Sequence, residues 1–176
     1  LDLKFHDIPH QVEGSSFAAA GSGADMLTMH TVGGVDMMAA AQKGAERAAA
    51  EYGHDVPATL GITVLTSMND AALAETGVSR AMADQVVVLA EQAKRAGISG
   101  VVASPQEAAR LRDILGPDAY IVTPGVRPAG SAKGDQSRVA TPAEAFANGA
   151  SHIVVGRPIT QADDPAAAFE AIAAEL

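Results

Sequence analysis

Asp2 and Lys4 stand two residues apart in the opening run Leu1-Asp2-Leu3-Lys4-Phe5. Side chains two apart share one face of an extended strand, so a carboxylate and an ammonium would project together while Leu3 and Phe5 face the other way. Either charge alone is expensive to bury, and an interior pair therefore needs both members. Such a pair is a fixed charge array with a proton to give; the same spacing also describes a plain structural ion pair. Asp7 lies past the end of this strand, within reach of the same pocket or of a neighbouring subunit.

The remaining cations divide by position. Of the 12 Lys and Arg, seven (Lys43, Arg47, Arg80, Lys94, Arg95, Arg110 and Arg112) sit on or beside expected helices as solvated charges. Lys4, Arg127 and Arg157 fall at or just past the ends of three expected strands, with Lys133 and Arg138 in a long loop. A chain of net charge −9 thus gathers cations at one end of its strands, which calls for a small anionic ligand. In Gly156-Arg157-Pro158-Ile159-Thr160, a glycine after a strand lets the backbone N–H approach a phosphate oxygen, and the arginine can grip the same group. The loop from Pro124 through Arg127 to Gln136 adds a second arginine and has the length of a lid.

The elements that must position these groups alternate. Strand-length apolar runs occur at Leu1 to Phe5, Met26 to His30, Thr59 to Leu65, Ser99 to Ala103, Ala119 to Thr123 and His152 to Val155. Helical spacing occupies Val12 to Ala20, Val35 to Tyr52, Met82 to Ala96, Pro105 to Leu115, Pro142 to Asn148 and Pro165 to Leu176. Ser104-Pro105 and Thr141-Pro142 read as N-caps followed by proline, and Gly97, Gly116 and Gly149 as helix stops. Strict alternation implies parallel strands joined by right-handed crossovers. The average of about 29 residues per unit is close to the roughly 31 of an eight-fold β/α barrel, with a doubly wound open sheet as the alternative. Met26, Met29, Met37 and Met38 read as core, and His6 and His30 as packing residues.

Composition narrows the function. With 48% apolar residues and 19% charged, the 176 residues suit one globular domain spanning 1–176. The lack of cysteine excludes thiol nucleophiles, disulfides and iron–sulfur ligation. A pI near 4.8 opposes nonspecific nucleic-acid binding, and no apolar run reaches the roughly 18 residues of a membrane span, so the cytoplasm is the expected location.

The motifs together resemble one family. Asp2-Leu3-Lys4-Phe5-His6-Asp7-Ile8-Pro9 is similar to the D-x-K-x-x-D-I-P signature of orotidine 5′-phosphate decarboxylases of the bacterial branch. The likeness continues in order through Thr63 to Ser67, Thr123 to Pro128, Gly134-Asp135-Gln136 and Val155 to Thr160. It implies a (β/α)8 TIM barrel, with strands 3 to 8 in this chain, that converts orotidine 5′-monophosphate to UMP with neither metal nor organic cofactor. By the same resemblance Lys4 is the proton donor and Asp2 its partner in the array. Asp7 reaches across a homodimer interface, Thr66 contacts the pyrimidine, and Arg127, Gln136, Gly156 and Arg157 hold the phosphate. His10-Gln11 stands where the family usually has Asn-Thr.

The resemblance further implies two β/α units ahead of Leu1, roughly 60 residues, bringing an Asp and a Lys that complete the array. The expected alternatives are a metal-dependent hexulose-phosphate synthase on the same barrel, whose strand also carries D-x-K-x-x-D, and a non-catalytic remnant that binds a nucleotide phosphate.

Overall fold

The computed structural model describes residues 1–128 and 140–176. The chain begins with α1 (Pro9–Gly21), β1 (Met26–His30) and α2 (Val35–Tyr52), then β2 (Ala58–Ile62), α3 (Asp70–Glu75) and α4 (Met82–Ala96). β3 (Gly100–Val102), α5 (Ala108–Leu115), β4 (Tyr120–Thr123), α6 (Pro142–Ala147) and β5 (His152–Ile153) follow, and α7 (Arg157–Thr160) and α8 (Pro165–Ala173) close it. All described sheet pairings are parallel, in the spatial order β1-β2-β3-β4-β5. A doubly wound sheet reverses its strand order at a switch point. This sheet never reverses, which is the topology of a barrel arc.

Period-two alternation decides what each strand residue does. Leu27, Met29, Val101 and Ile121 are fully buried, and Met29, Val101 and Ile121 share one core cluster with Val86, Leu89 and Ala93 of α4 and Leu111 of α5. The alternate residues Met26, Thr28, Leu60, Ile62, Val102 and Val122 line a cavity on the other face. Met26 is therefore cavity wall, while Met29, Met37 and Met38 are core as expected. Register is locked at the starts of the strands. Thr59 N–H donates to Ser99 Oγ at 3.1 Å and Ser99 N–H to Thr59 Oγ1 at 3.3 Å, and Ile121 N–H donates to Ser151 Oγ at 2.9 Å.

Outside the sheet, α1 packs on α2 at a crossing that needs glycine, because a Cβ on Gly44 would lie 2.2 Å from the Glu13 carbonyl oxygen. Across the same contact Glu13 accepts from Lys43 at 3.2 Å and from Arg47 at 2.7 Å. Among the described residues, no helix is long and apolar enough to cross a membrane.

Several expected elements need correction. Leu1 to Phe5 is not a regular strand: Phe5 forms an isolated parallel bridge to Met29, and Lys4 takes the left-handed φ of 55° that interrupts extended backbone. Ser104 does not cap α5. Its Oγ accepts from Gln106 N–H at 3.2 Å, a local turn, and the helix starts at Ala108. Thr141 does cap α6, in a capping box with Glu144. The sequence reading passed over α3, capped by Asn69, and α7, which opens on Arg157-Pro158.

Candidate active site

The concave face of the sheet encloses a cavity of about 460 Å³. Its wall is mostly aliphatic: Leu60, Ile62, Val64, Val102, Val122 and Val154. Its polar groups are few: Asp2 and Lys4 from the first segment, Thr28 from β1, and Thr66 and Ser67 from the loop after β2. Apolar walls with a few convergent polar groups are the usual make-up of a ligand site. Residues just past the C-termini of four strands, Thr66, Ala103, Pro124 and Val154, also line it, and barrel enzymes keep their chemistry at the C-terminal ends of their strands.

The first segment lies alongside β1 through alternating backbone bonds. Phe5 N–H donates to the Thr28 carbonyl at 3.0 Å, and His30 N–H to the Phe5 carbonyl at 2.9 Å. One residue earlier, where a regular parallel ladder turns the N–H away from β1, left-handed Lys4 instead donates it to the Thr28 hydroxyl at 3.0 Å. A non-glycine residue in that conformation costs on the order of 1–2 kcal/mol, and such costs gather at functional sites.

The Lys4 ammonium lies 2.5 Å from Asp2 Oδ2, while the Thr28 hydroxyl donates to Asp2 Oδ1 at 2.9 Å. The expected pair is therefore formed, though not in a sealed interior: the side chains are 47% (Lys4) and 68% (Asp2) exposed. Ion pairs this exposed contribute little to stability. Its place at the cavity mouth is the informative property.

Burial pushes the Asp2 carboxyl upward, but the hydrogen bonds from Lys4 and Thr28 and the adjacent ammonium outweigh it and hold the group below its ordinary 3.8. A carboxylate depressed in the folded state stabilises above its unfolded value, and that contribution is lost as pH falls through the folded one. The carboxyl 13C resonance of Asp2 is accordingly expected to titrate with a midpoint below the ordinary 3.8, and that midpoint is expected to rise in Lys4→Ala. An unmoved midpoint in the variant would show that Lys4 does not act on it.

His30 sits beside His6, ring centroids 5.7 Å apart. Burial, followed by the neighbouring His6 and Lys4 charges, lowers its pKa from 6.5, which keeps the ring neutral near pH 7.

The remaining candidates are dispersed. Thr66 lines the cavity. Val154 also lines it, and Gly156 and Arg157 follow directly, Gly156 as the N-cap of α7. Both are exposed, and a Cβ on Gly156 would meet no atom within 4 Å. Arg127 is 9% exposed and lies off the cavity wall, its backbone N–H donating to the Ala140 carbonyl at 2.9 Å and its guanidinium to the Val126 carbonyl at 2.8 Å.

Asp7 is apart from the central cavity, in a shallow recess with His6, Ile8, Pro9, Val32 and Gly33, and its Oδ1 accepts from Ile8 N–H at 2.6 Å. Gln136, Lys133 and Arg138 lie outside the described residues. The sequence reading missed Thr28; its one local signal is a hydroxyl at an inward position of the otherwise apolar run Met26-Leu27-Thr28-Met29.

Comparison with known proteins gives one answer. Residues 1–172 match the sequence model of the orotidine 5′-phosphate decarboxylase / HUMPS family. The orotidine 5′-phosphate decarboxylase of Moorella thermoacetica is 51% identical over 99% of this chain and 70% of its own length. That of Anaeromyxobacter sp. (strain K) is 53% identical over 100% of this chain and 74% of its own. Among solved structures, orotidine 5′-phosphate decarboxylase from Lactobacillus acidophilus superposes with a TM-score of 0.86 at 44% identity, covering 99% of this chain and 73% of that one. A family model spanning nearly the whole sequence, together with an all-parallel arc that sets Asp2 and Lys4 at its mouth, shows that the chain belongs to the orotidine 5′-phosphate decarboxylase / HUMPS family.

Proposed function

We propose that the protein decarboxylates orotidine 5′-monophosphate to UMP, as a cytoplasmic step of pyrimidine synthesis, with Lys4 as proton donor. The observation that carries this reading is the Lys4–Asp2 pair on the wall of a mostly aliphatic cavity. The bond from pyrimidine C6 to the carboxylate breaks, its electron pair stays on C6, and CO2 leaves. The pair then takes a proton from the Lys4 ammonium, which regains one from solvent. No neighbouring π-system accepts the C6 electrons, so stabilisation must come from charge fixed in advance. Lys4 supplies that charge. Asp2 holds the ammonium in place.

Thr66 is assigned to the pyrimidine. Arg127, Gln136, Gly156 and Arg157 are assigned to the phosphate, where binding energy remote from C6 can orient the base. Asp7 is assigned to the site of a second copy. Its separation from the central cavity supports this, as do the neighbouring apolar side chains Ile8 and Val32, 62% and 59% exposed. The domain is then residues 1–176, contributing three quarters of a barrel. Relatives at about half identity all carry the decarboxylase name, which favours this reading over a hexulose-phosphate synthase.

Incubating the purified chain with orotidine 5′-monophosphate is expected to release one CO2 per UMP formed, followed by the change in pyrimidine absorbance. UMP binding without turnover would support the remnant reading instead.

A further inference from the structure

We propose that Thr28 is a positioning residue, and that its hydroxyl fixes the Lys4 ammonium for proton transfer. This inference rests on the reading of Lys4 as the donor. Thr28 is 7% exposed on the inward face of β1. Its hydroxyl offers one proton and two acceptor sites. The proton goes to Asp2 Oδ1 at 2.9 Å, and one acceptor site takes the Lys4 backbone N–H at 3.0 Å.

Asp2 Oδ2 in turn receives the Lys4 ammonium. A closed ring results, in which Lys4 is tied to one hydroxyl at both ends, directly through its main chain and by way of Asp2 through its Nζ. The left-handed φ of 55° at Lys4 gives the ring its purpose. Where the regular ladder would leave that N–H unserved, the hydroxyl accepts it, while the Thr28 carbonyl takes the next one, from Phe5. One residue of β1 therefore satisfies two successive N–H groups around the interruption. Without its hydroxyl, Lys4 loses the bond that supports its backbone, and Asp2 keeps a single tether.

Thr28→Val keeps the shape and removes the hydroxyl; Thr28→Ser keeps the hydroxyl and removes a methyl group. In the full chain, Thr28→Val is expected to lower kcat for orotidine 5′-monophosphate about 10- to 100-fold with KM changed less than about threefold, and Thr28→Ser to stay within about threefold of the parent. Affinity for UMP is expected to hold in both. Affinity for a UMP analogue with an anionic oxygen on C6 is expected to fall in Thr28→Val by about the same factor as kcat.

Equal kcat in Thr28→Val and the parent would overturn the proposal, as would parallel losses of UMP binding and kcat in both variants, which mark a merely structural role. A parent chain that binds UMP and does not turn over defeats the decarboxylase reading alone. In that event the Asp2 carboxyl titration still decides, because a midpoint raised in Thr28→Val but not in Thr28→Ser upholds the ring, and an unchanged midpoint in Thr28→Val refutes it.

Discussion

Lys4→Ala is expected to abolish turnover of orotidine 5′-monophosphate, lowering kcat by at least about 10⁴-fold, because in the proposed mechanism the variant loses both the fixed positive charge beside C6 and the proton that C6 must receive. Each loss alone is of the order of 10² or more. The two coincide in one ammonium, 2.5 Å from the Asp2 carboxylate. UMP binding is expected to survive, since the assigned phosphate and pyrimidine contacts lie on other loops, and an inactive variant with normal UMP affinity separates chemistry from folding.

Arg157→Ala is the matched contrast. In the proposed assignment it removes a charge-assisted contact to the phosphate, so KM is expected to rise about 10- to 100-fold with kcat reduced far less than in Lys4→Ala. Similar losses of kcat in both variants, with KM unchanged, would refute this division of labour.

The parts of this arrangement that were readable in advance are those written locally. Val35–Tyr52 and Met82–Ala96 form helices over the ranges their apolar spacing predicts, and Gly53 and Gly97 end them in the left-handed conformation. Asp2 and Lys4 pair as their spacing suggests, although the backbone between them is not the regular strand that suggested it.

What was illegible depends on register. Whether Lys4 meets a hydroxyl is decided by which residue of β1 lies beside it, a contact spanning 24 residues that no local pattern encodes. α7 reads as loop in the sequence because four residues hold too little periodicity to register, even with proline at its start.

Arg112→Ala is expected to cost about 3 kcal/mol and to lower the melting temperature by roughly 6–12 °C, the largest stability loss we expect from a single polar side chain here. The sequence assigns Arg112 to a solvated helix face. In the folded chain its Nη1 instead serves the carbonyls of Gly116 at 2.8 Å, Pro117 at 2.9 Å and Ala119 at 2.8 Å. Nε and Nη2 both reach the Gly149 carbonyl, at 3.2 and 2.9 Å. The guanidinium thus closes the C-terminus of α5, fixes the approach to β4 and ties it to the turn before β5. Gly149 permits the contact, since a Cβ there would sit 3.3 Å from Arg112 Cβ.

This clamp lies at the starts of β4 and β5, whose opposite ends lead to Arg127 and to Gly156-Arg157. Conserving the charge is not enough: Arg112→Lys is expected to recover less than half of the loss, because one ammonium cannot reach carbonyls on both sides as a planar fork does. Thermal unfolding followed by circular dichroism checks both variants. A melting temperature for Arg112→Ala within about 2 °C of the parent would mean that water serves these carbonyls as well as the guanidinium does. At a temperature where Arg112→Ala stays folded, kcat is expected to match the parent, since the strand starts carry stability and the strand ends carry the chemistry.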